Sequence, residues 1–175
     1  LFDLALRMII AILLAVNSLA IFYFIFAPLT ILPAFWVIRL FYPITMEGIF
    51  FFYKDYTVML INACIAGSAY YLLALLNLTT KGVSVKTRIK AFIFGAIAFL
   101  ALNILRITLL VLILFAVGSA AFNKIHLSFW LIGSTLFVVG IWLFTIRIFR
   151  IKEVPVYSDL VEVWRMVKKA KSKSK

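Results

Sequence analysis

The stretch AFIFGAIAFLALNILRITLLVLILFAV, residues 91–117, decides the class of this chain. Its interruptions are Asn103 and Arg106, and it exceeds the roughly 20 apolar residues that a helix needs to cross a bilayer. An arginine inside such a segment costs about 2.5–3.5 kcal/mol on insertion scales, so it must face a protein interior or a water pocket. Asn103 lies three residues earlier, on the same helical face. Its amide can hydrogen-bond the guanidinium or the amide of a substrate.

The rest of the chain agrees with that class. Of 175 residues 66% are hydrophobic and 14% charged, with mean hydropathy +1.18. A soluble domain averages roughly 45–50% apolar and about 25% charged. The expectation is an all-α polytopic protein of the cell membrane with about four transmembrane helices. Working outward, Met8–Phe26 reads as the first span, with Asn17 and Ser18 as polar interruptions. Pro28 and Pro33 bracket an expected break. Leu32–Tyr42, short and carrying Arg39, then reads as a re-entrant or interfacial piece on the outer face. A true second span is the alternative there, and it would invert the N-terminus.

Ile49–Tyr53 and Tyr56–Ile61 are rich in β-branched and aromatic residues and are separated by Lys54-Asp55, a hairpin pattern. A lone hairpin is marginal, so it has to lie against the helices at the membrane surface. Ala63–Leu78 reads as the next span, with Ala66, Gly67, Ala69 and Ala74 small enough for close helix approach. Thr79–Lys90 reads as a polar loop, Gly118–Ile125 as a short outer loop, and His126–Ile146 as the last span. In the tail, Tyr157, Leu160, Val161, Trp164 and Val167 follow helical spacing, a basic amphipathic helix. The division is a transmembrane domain over residues 1–151, carrying the candidate catalytic residues, and a cytoplasmic tail over 152–175.

Charge sets the expected orientation. The net charge is +12. Fourteen of the 18 basic residues fall on one side of a four-span topology: Arg7, four in Lys81–Lys90, and nine from Arg147 on. Basic residues flanking apolar spans mark the cytoplasmic face and contact anionic lipid, so both termini are placed inside and nucleic acid is not an expected partner. The one cysteine, Cys64, cannot form an internal disulfide. No acidic residue lies in a span, which excludes a paired-carboxylate or di-metal site. One Cys and one His cannot make a zinc site alone, and there is no phosphate-binding glycine loop, so no metal or cofactor is expected.

Helical rise then brings three distant residues to one depth. Cys64 lies 16 residues back from Thr80, and Arg106 lies 16 residues on from Lys90, roughly 24 Å in each case. His126 lies 21 residues back from Arg147, roughly 31 Å. In a hydrocarbon core about 30 Å thick, all three fall at or near the outer rim. Alone, Cys64 reads as a small buried hydrophobe and His126 as an interfacial residue. Together the three supply a nucleophile, a charge stabiliser and a proton carrier. The expected cysteine sits at a helix N-terminus beside a cation, both of which favour a thiolate.

At these residues the chain resembles the exosortase/archaeosortase family of membrane cysteine enzymes, from about Ala27 to Arg150. The likeness rests on Ala63-Cys64-Ile65-Ala66-Gly67, on Arg88, on Asn103-Ile104-Leu105-Arg106-Ile107, and on His126 opening the last span. It implies a sorting protease/transpeptidase acting near the extracellular face. Its substrates would be exported proteins with a C-terminal motif, membrane helix and basic cluster, and the new C-terminus would pass to a lipid or related acceptor. Cys64 would be the nucleophile, Arg106 the stabiliser of thiolate or oxyanion, and His126 the proton donor and acceptor. The family commonly has Ser or Thr after the cysteine. Here Ile65 follows, which moves any hydroxyl contact to Ser68. Asn103 and Ser68 are thus the expected substrate-binding residues. The competing reading is a non-enzymatic membrane assembly or transport subunit, with Arg106 binding an anion or a partner's acid.

Overall fold

The computed structural model describes residues 2–15, 19–80, 82–129 and 134–151. The tail expected to be helical over Val154–Lys175 lies outside these residues, as do Asn17 and Ser18. The described chain is mostly helical. Its helices are α1 (Phe2–Ala15), α2 (Ala20–Arg39), α3 (Asn62–Ile65), α4 (Gly67–Thr79), α5 (Val85–Val117), α6 (Ser119–Ser128) and α7 (Ser134–Ile148). Two of them, α2 and α5, are long and apolar enough to cross a membrane; α1 and α7 carry shorter apolar stretches.

The centre is α5, 33 residues or roughly 50 Å long. Helices α2, α4, α6 and α7 all pack on it, and α1 packs on α4. Ser84 caps its start by accepting a hydrogen bond from the Thr87 N–H. Lys86, Arg88 and Lys90 therefore belong to the first turns of α5, so the polar connection is shorter than the expected Thr79–Lys90 loop.

Between α2 and α3 lies a three-stranded antiparallel sheet, β1 (Thr45–Glu47), β2 (Phe50–Tyr53) and β3 (Tyr56–Met59), in the order β1-β2-β3. The hairpin read from the sequence is the β2–β3 pair, with Tyr53 opposite Tyr56 across Lys54-Asp55. Lys54 takes a left-handed φ of 49° to close it. The purely α description is too narrow, because β1 adds a third strand through a turn at Gly48, whose φ of 59° suits glycine.

Several expected boundaries shift. Met8–Phe26 is not one helix: α1 ends at Ala15, Leu19 has a left-handed φ of 64°, and α2 starts at Ala20. The break expected at Pro28 and Pro33 is absent, since both prolines lie inside α2. Proline removes one backbone donor and normally kinks a helix. Here packing against α5, α4 and α3 outweighs that preference. Leu32–Tyr42 is accordingly not a re-entrant piece; it is the last turns of α2 and the turn beyond. Gly118–Ile125, expected as a loop, is mostly α6, because Ser119, Ala120 and Ala121 permit a helix as readily as a turn. His126 thus lies in the last turn of α6; residues 130–133, between α6 and α7, lie outside the described residues.

Two apolar clusters fill the bundle. One joins Phe22, Tyr70, Leu73, Phe99, Val138 and Trp142 from α2, α4, α5 and α7. The other joins Ile31, Phe35, Ile38, Phe51, Ile65 and Val111 beneath the sheet. Gly67 sits at the α2–α4 crossing, where an added Cβ would stand 2.7 Å from the Tyr23 ring. Only a residue without a side chain lets the two helices approach so closely there.

Candidate active site

Between the two apolar clusters the chain places a layer of polar side chains, and Cys64 borders it. The backbone dictates why. Ala66 adopts a left-handed φ of 59° and ψ of 44°, which ends α3 and separates it from α4. A side chain in that region costs roughly 1–2 kcal/mol. The break leaves the carbonyls of Cys64 and Ile65 outside the regular helical ladder, and a buried carbonyl needs a partner.

Asn103 and Arg106 of α5 provide it. Asn103 Nδ2 donates to the Cys64 carbonyl at 2.9 Å and to the Ile65 carbonyl at 3.4 Å. Arg106 Nη2 donates to the Cys64 carbonyl at 3.3 Å. Residues 39 and 42 positions apart are thereby joined. Asn103 is only 2% exposed, and its Oδ1 has no hydrogen-bond partner; neither has Arg106 Nε.

The sulfur itself is half-buried and free. The backbone N–H of Cys64 donates to the Ile61 carbonyl at 2.8 Å. The expectation of a thiol at the N-terminus of a spanning helix needs correction. Cys64 sits in a four-residue turn, and the long helix starts at Gly67. So short a turn has too few aligned peptide dipoles to hold a thiolate. Burial pushes the Cys64 thiol above its ordinary pKa; the Ile61 backbone and then the field of Arg106 offset only part of that loss of water around the sulfur.

His126 is brought near but not into contact. It is half-buried on α6, 5.2 Å from the Phe122 ring, and Arg106 acts on it electrostatically. Its Nδ1 is buried without a partner, and no hydrogen bond joins it to Cys64 or Arg106. Ser68 is exposed on the first turn of α4 and makes no hydrogen bond with the cluster. Thus Cys64, Asn103 and Arg106 converge, His126 shares the field of Arg106, and Ser68 stands apart.

Sequence reasoning missed Thr30 and Tyr70. Both are fully buried, and neither hydroxyl has a partner. The available signal was a hydroxyl between two prolines in α2 and a tyrosine three residues after Gly67.

A separate apolar cavity of about 440 Å³ opens between α1, α2, α4 and α5, lined by Ile10, Leu14, Phe22, Ala74 and Phe92. It reaches Asn77 and Arg88 at the other end of α4 from Cys64. Among the described residues no three His, Cys, Asp or Glu side chains come together. Compared with known proteins, the chain matches no family model, no curated protein and no solved structure.

Proposed function

We propose that this protein is a multi-pass membrane sorting enzyme, a cysteine protease/transpeptidase of the exosortase/archaeosortase kind. It would cleave the C-terminal signal of exported proteins and pass the new C-terminus to a lipid or other acceptor. The observation that carries the reading is the junction of Cys64 with Asn103 and Arg106. A half-buried arginine on an apolar helix, bonded to the backbone of the single cysteine, is expensive unless the pair has work to do.

The membrane reading draws on α2 and α5 and on the apolar surface, where Phe24 is 85% and Leu40 81% exposed. Such a surface suits lipid rather than water. In this reading α1 and α2 together make the first pass, α4 the second, α5 the third and α7 the fourth. Arg7 donates to the Leu78 and Thr80 carbonyls, which sets the start of α1 beside the 80–84 connection and its basic flank. Both ends of the chain then face the cytoplasm, and the sheet and Cys64 face the outside.

The chemistry follows from the residue types. His126 takes the proton of the Cys64 thiol as the sulfur attacks the scissile carbonyl carbon; a C–S bond forms while the peptide C–N bond breaks. Arg106 stabilises the negative charge on sulfur and then on the carbonyl oxygen. His126 gives its proton to the departing amine, then takes one from the acceptor hydroxyl or amine, or from water, as that group displaces the sulfur. Asn103 Oδ1, buried and without a partner, would accept a substrate N–H once substrate binding opens the site. Ser68, exposed on α4, meets the incoming substrate helix rather than the sulfur.

One observation favours a second reading. Asn103 and Arg106 both bond the Cys64 carbonyl, as they would if their task were only to finish α3 within a non-enzymatic membrane subunit. Co-expression with an exported protein bearing the three-part C-terminal signal separates the two. The enzyme reading expects Cys64→Ala, Arg106→Ala and His126→Ala to leave the signal uncleaved while the protein still accumulates. Normal processing by Cys64→Ala ends it.

A further inference from the structure

Among the described residues six buried side-chain atoms have no hydrogen-bond partner: Thr30 Oγ1, Tyr70 Oη, Asn103 Oδ1, Arg106 Nε, Thr108 Oγ1 and His126 Nδ1. The cysteine chemistry uses Asn103, Arg106 and His126 and leaves Thr30, Tyr70 and Thr108 unexplained. Thr30 and Tyr70 are 0% exposed. A buried polar group left unpaired costs about 1–3 kcal/mol, so two hydroxyls together in a packed interior call for a role.

Packing does not supply that role. The Tyr70 ring stacks on Phe26 with centroids 3.6 Å apart and meets Phe99 edge-on at 5.0 Å. Phenylalanine would fill the same space and make the same ring contacts. What tyrosine adds is a hydroxyl held in one place. Thr30 is the hydroxyl neighbouring it, and Arg106 acts on it electrostatically. Among the described residues Arg106, in turn, has a single hydrogen bond, at 3.3 Å through Nη2, with Nε–H unused. One bond at one end leaves a long side chain free to pivot, and arginine carries about 2 kcal/mol of rotamer entropy.

We propose that Tyr70, backed by Thr30, is a positioning residue for Arg106. Its hydroxyl accepts from the Arg106 Nε–H, directly or across one water, and donates to Thr30 Oγ1. The guanidinium is then held at two points and stays turned toward Cys64. This rests on the reading of Arg106 as the charge partner of the sulfur and deepens it. Among the described residues the titratable groups that face Arg106 are Cys64 from α3, Tyr70 from α4 and His126 from α6. Of these only Tyr70 combines a rigid ring with an unpartnered hydroxyl.

The test needs no substrate. The full chain in lipid vesicles is alkylated with iodoacetamide, and the rate at Cys64 is followed from pH 6 to pH 10. Losing the aim of Arg106 weakens stabilisation of the thiolate, so the midpoint of the profile moves up and alkylation at neutral pH slows. Tyr70→Phe and Thr30→Val, which keep the packing, are each expected to slow it about threefold, the effect of one modest hydrogen bond. Arg106→Gln is expected to slow it further. In the Arg106→Gln background the Tyr70→Phe change should have no added effect, because coupled residues do not act independently.

If Arg106→Gln moves the midpoint and neither Tyr70→Phe nor Thr30→Val does, the positioning role is wrong and the charge pair stands. A Tyr70→Phe shift that persists without Arg106 also overturns the role. If Arg106→Gln itself changes nothing, the charge pair fails and takes this inference with it. Thr30→Val decides the matter should Tyr70→Phe not fold.

Discussion

At the Thr80 end of the bundle, Arg7 and Arg88 close the last turn of α4. Arg7 Nη1 donates to the Leu78 and Thr80 carbonyls, and Arg88 donates to the Asn77 and Thr80 carbonyls while Asn77 Nδ2 returns a bond to the Arg88 carbonyl at 3.0 Å. At the sheet end, Arg106 makes one bond at 3.3 Å and keeps a buried Nε–H without a partner. Cys64, Tyr70 and His126 stand in its field. The same residue type thus does two jobs in one small protein. Where the guanidinium satisfies several carbonyls it is a clamp on the fold. Where its donors are held back and nucleophilic or proton-bearing groups surround it, the proposed function makes it equipment for chemistry.

Arg106→Met should lower signal processing by about 100-fold or more, the scale seen when a charge-stabilising donor is removed from an active site. Folding should suffer little. The readout is the fraction of substrate cleaved per folded enzyme, and near-normal cleavage would erase the distinction between the two ends.

Arg88→Met should do the reverse. It leaves the buried Thr80 and Asn77 carbonyls short of donors, a loss of about 2–3 kcal/mol. A lowered thermal midpoint in detergent, with unchanged Cys64 alkylation per folded molecule, is the expected pattern. Slowed alkylation without loss of stability would place Arg88 in the site instead.

The smallest effect sharpens the geometry. Ala66→Gly relieves a left-handed backbone at φ 59° and should raise stability by about 1 kcal/mol, leaving processing unaltered. A fall in stability would mean that the α3–α4 joint depends on the Ala66 methyl rather than on the carbonyl bonds of Asn103 and Arg106.

Part of the candidate site's geometry was readable because it follows from length. Counting helical rise from the basic connection carried Cys64 and Arg106 to the same depth, and they do meet. The β2–β3 hairpin was readable from its aromatic and β-branched runs. What was not readable lies where tertiary packing overrides local preference. Pro28 and Pro33 look like a helix end but are carried inside α2 by its contacts with α5. Ala66 gives no sign of a left-handed turn, since glycine is the residue that advertises one and it comes next, at 67. Tyr70 in an apolar run resembles any interfacial aromatic; only its partners in space single out the hydroxyl.

The central claim is that Cys64 forms a covalent bond to the chain it cleaves. Mass spectrometry of the purified protein, quenched in acid during turnover of a signal-bearing substrate, tests this directly. The account predicts a hydroxylamine-labile thioester joining Cys64 to the substrate's new C-terminal residue, absent from Cys64→Ala along with all cleavage. Cleavage at an undiminished rate by Cys64→Ala, with no adduct on the native protein, would contradict it.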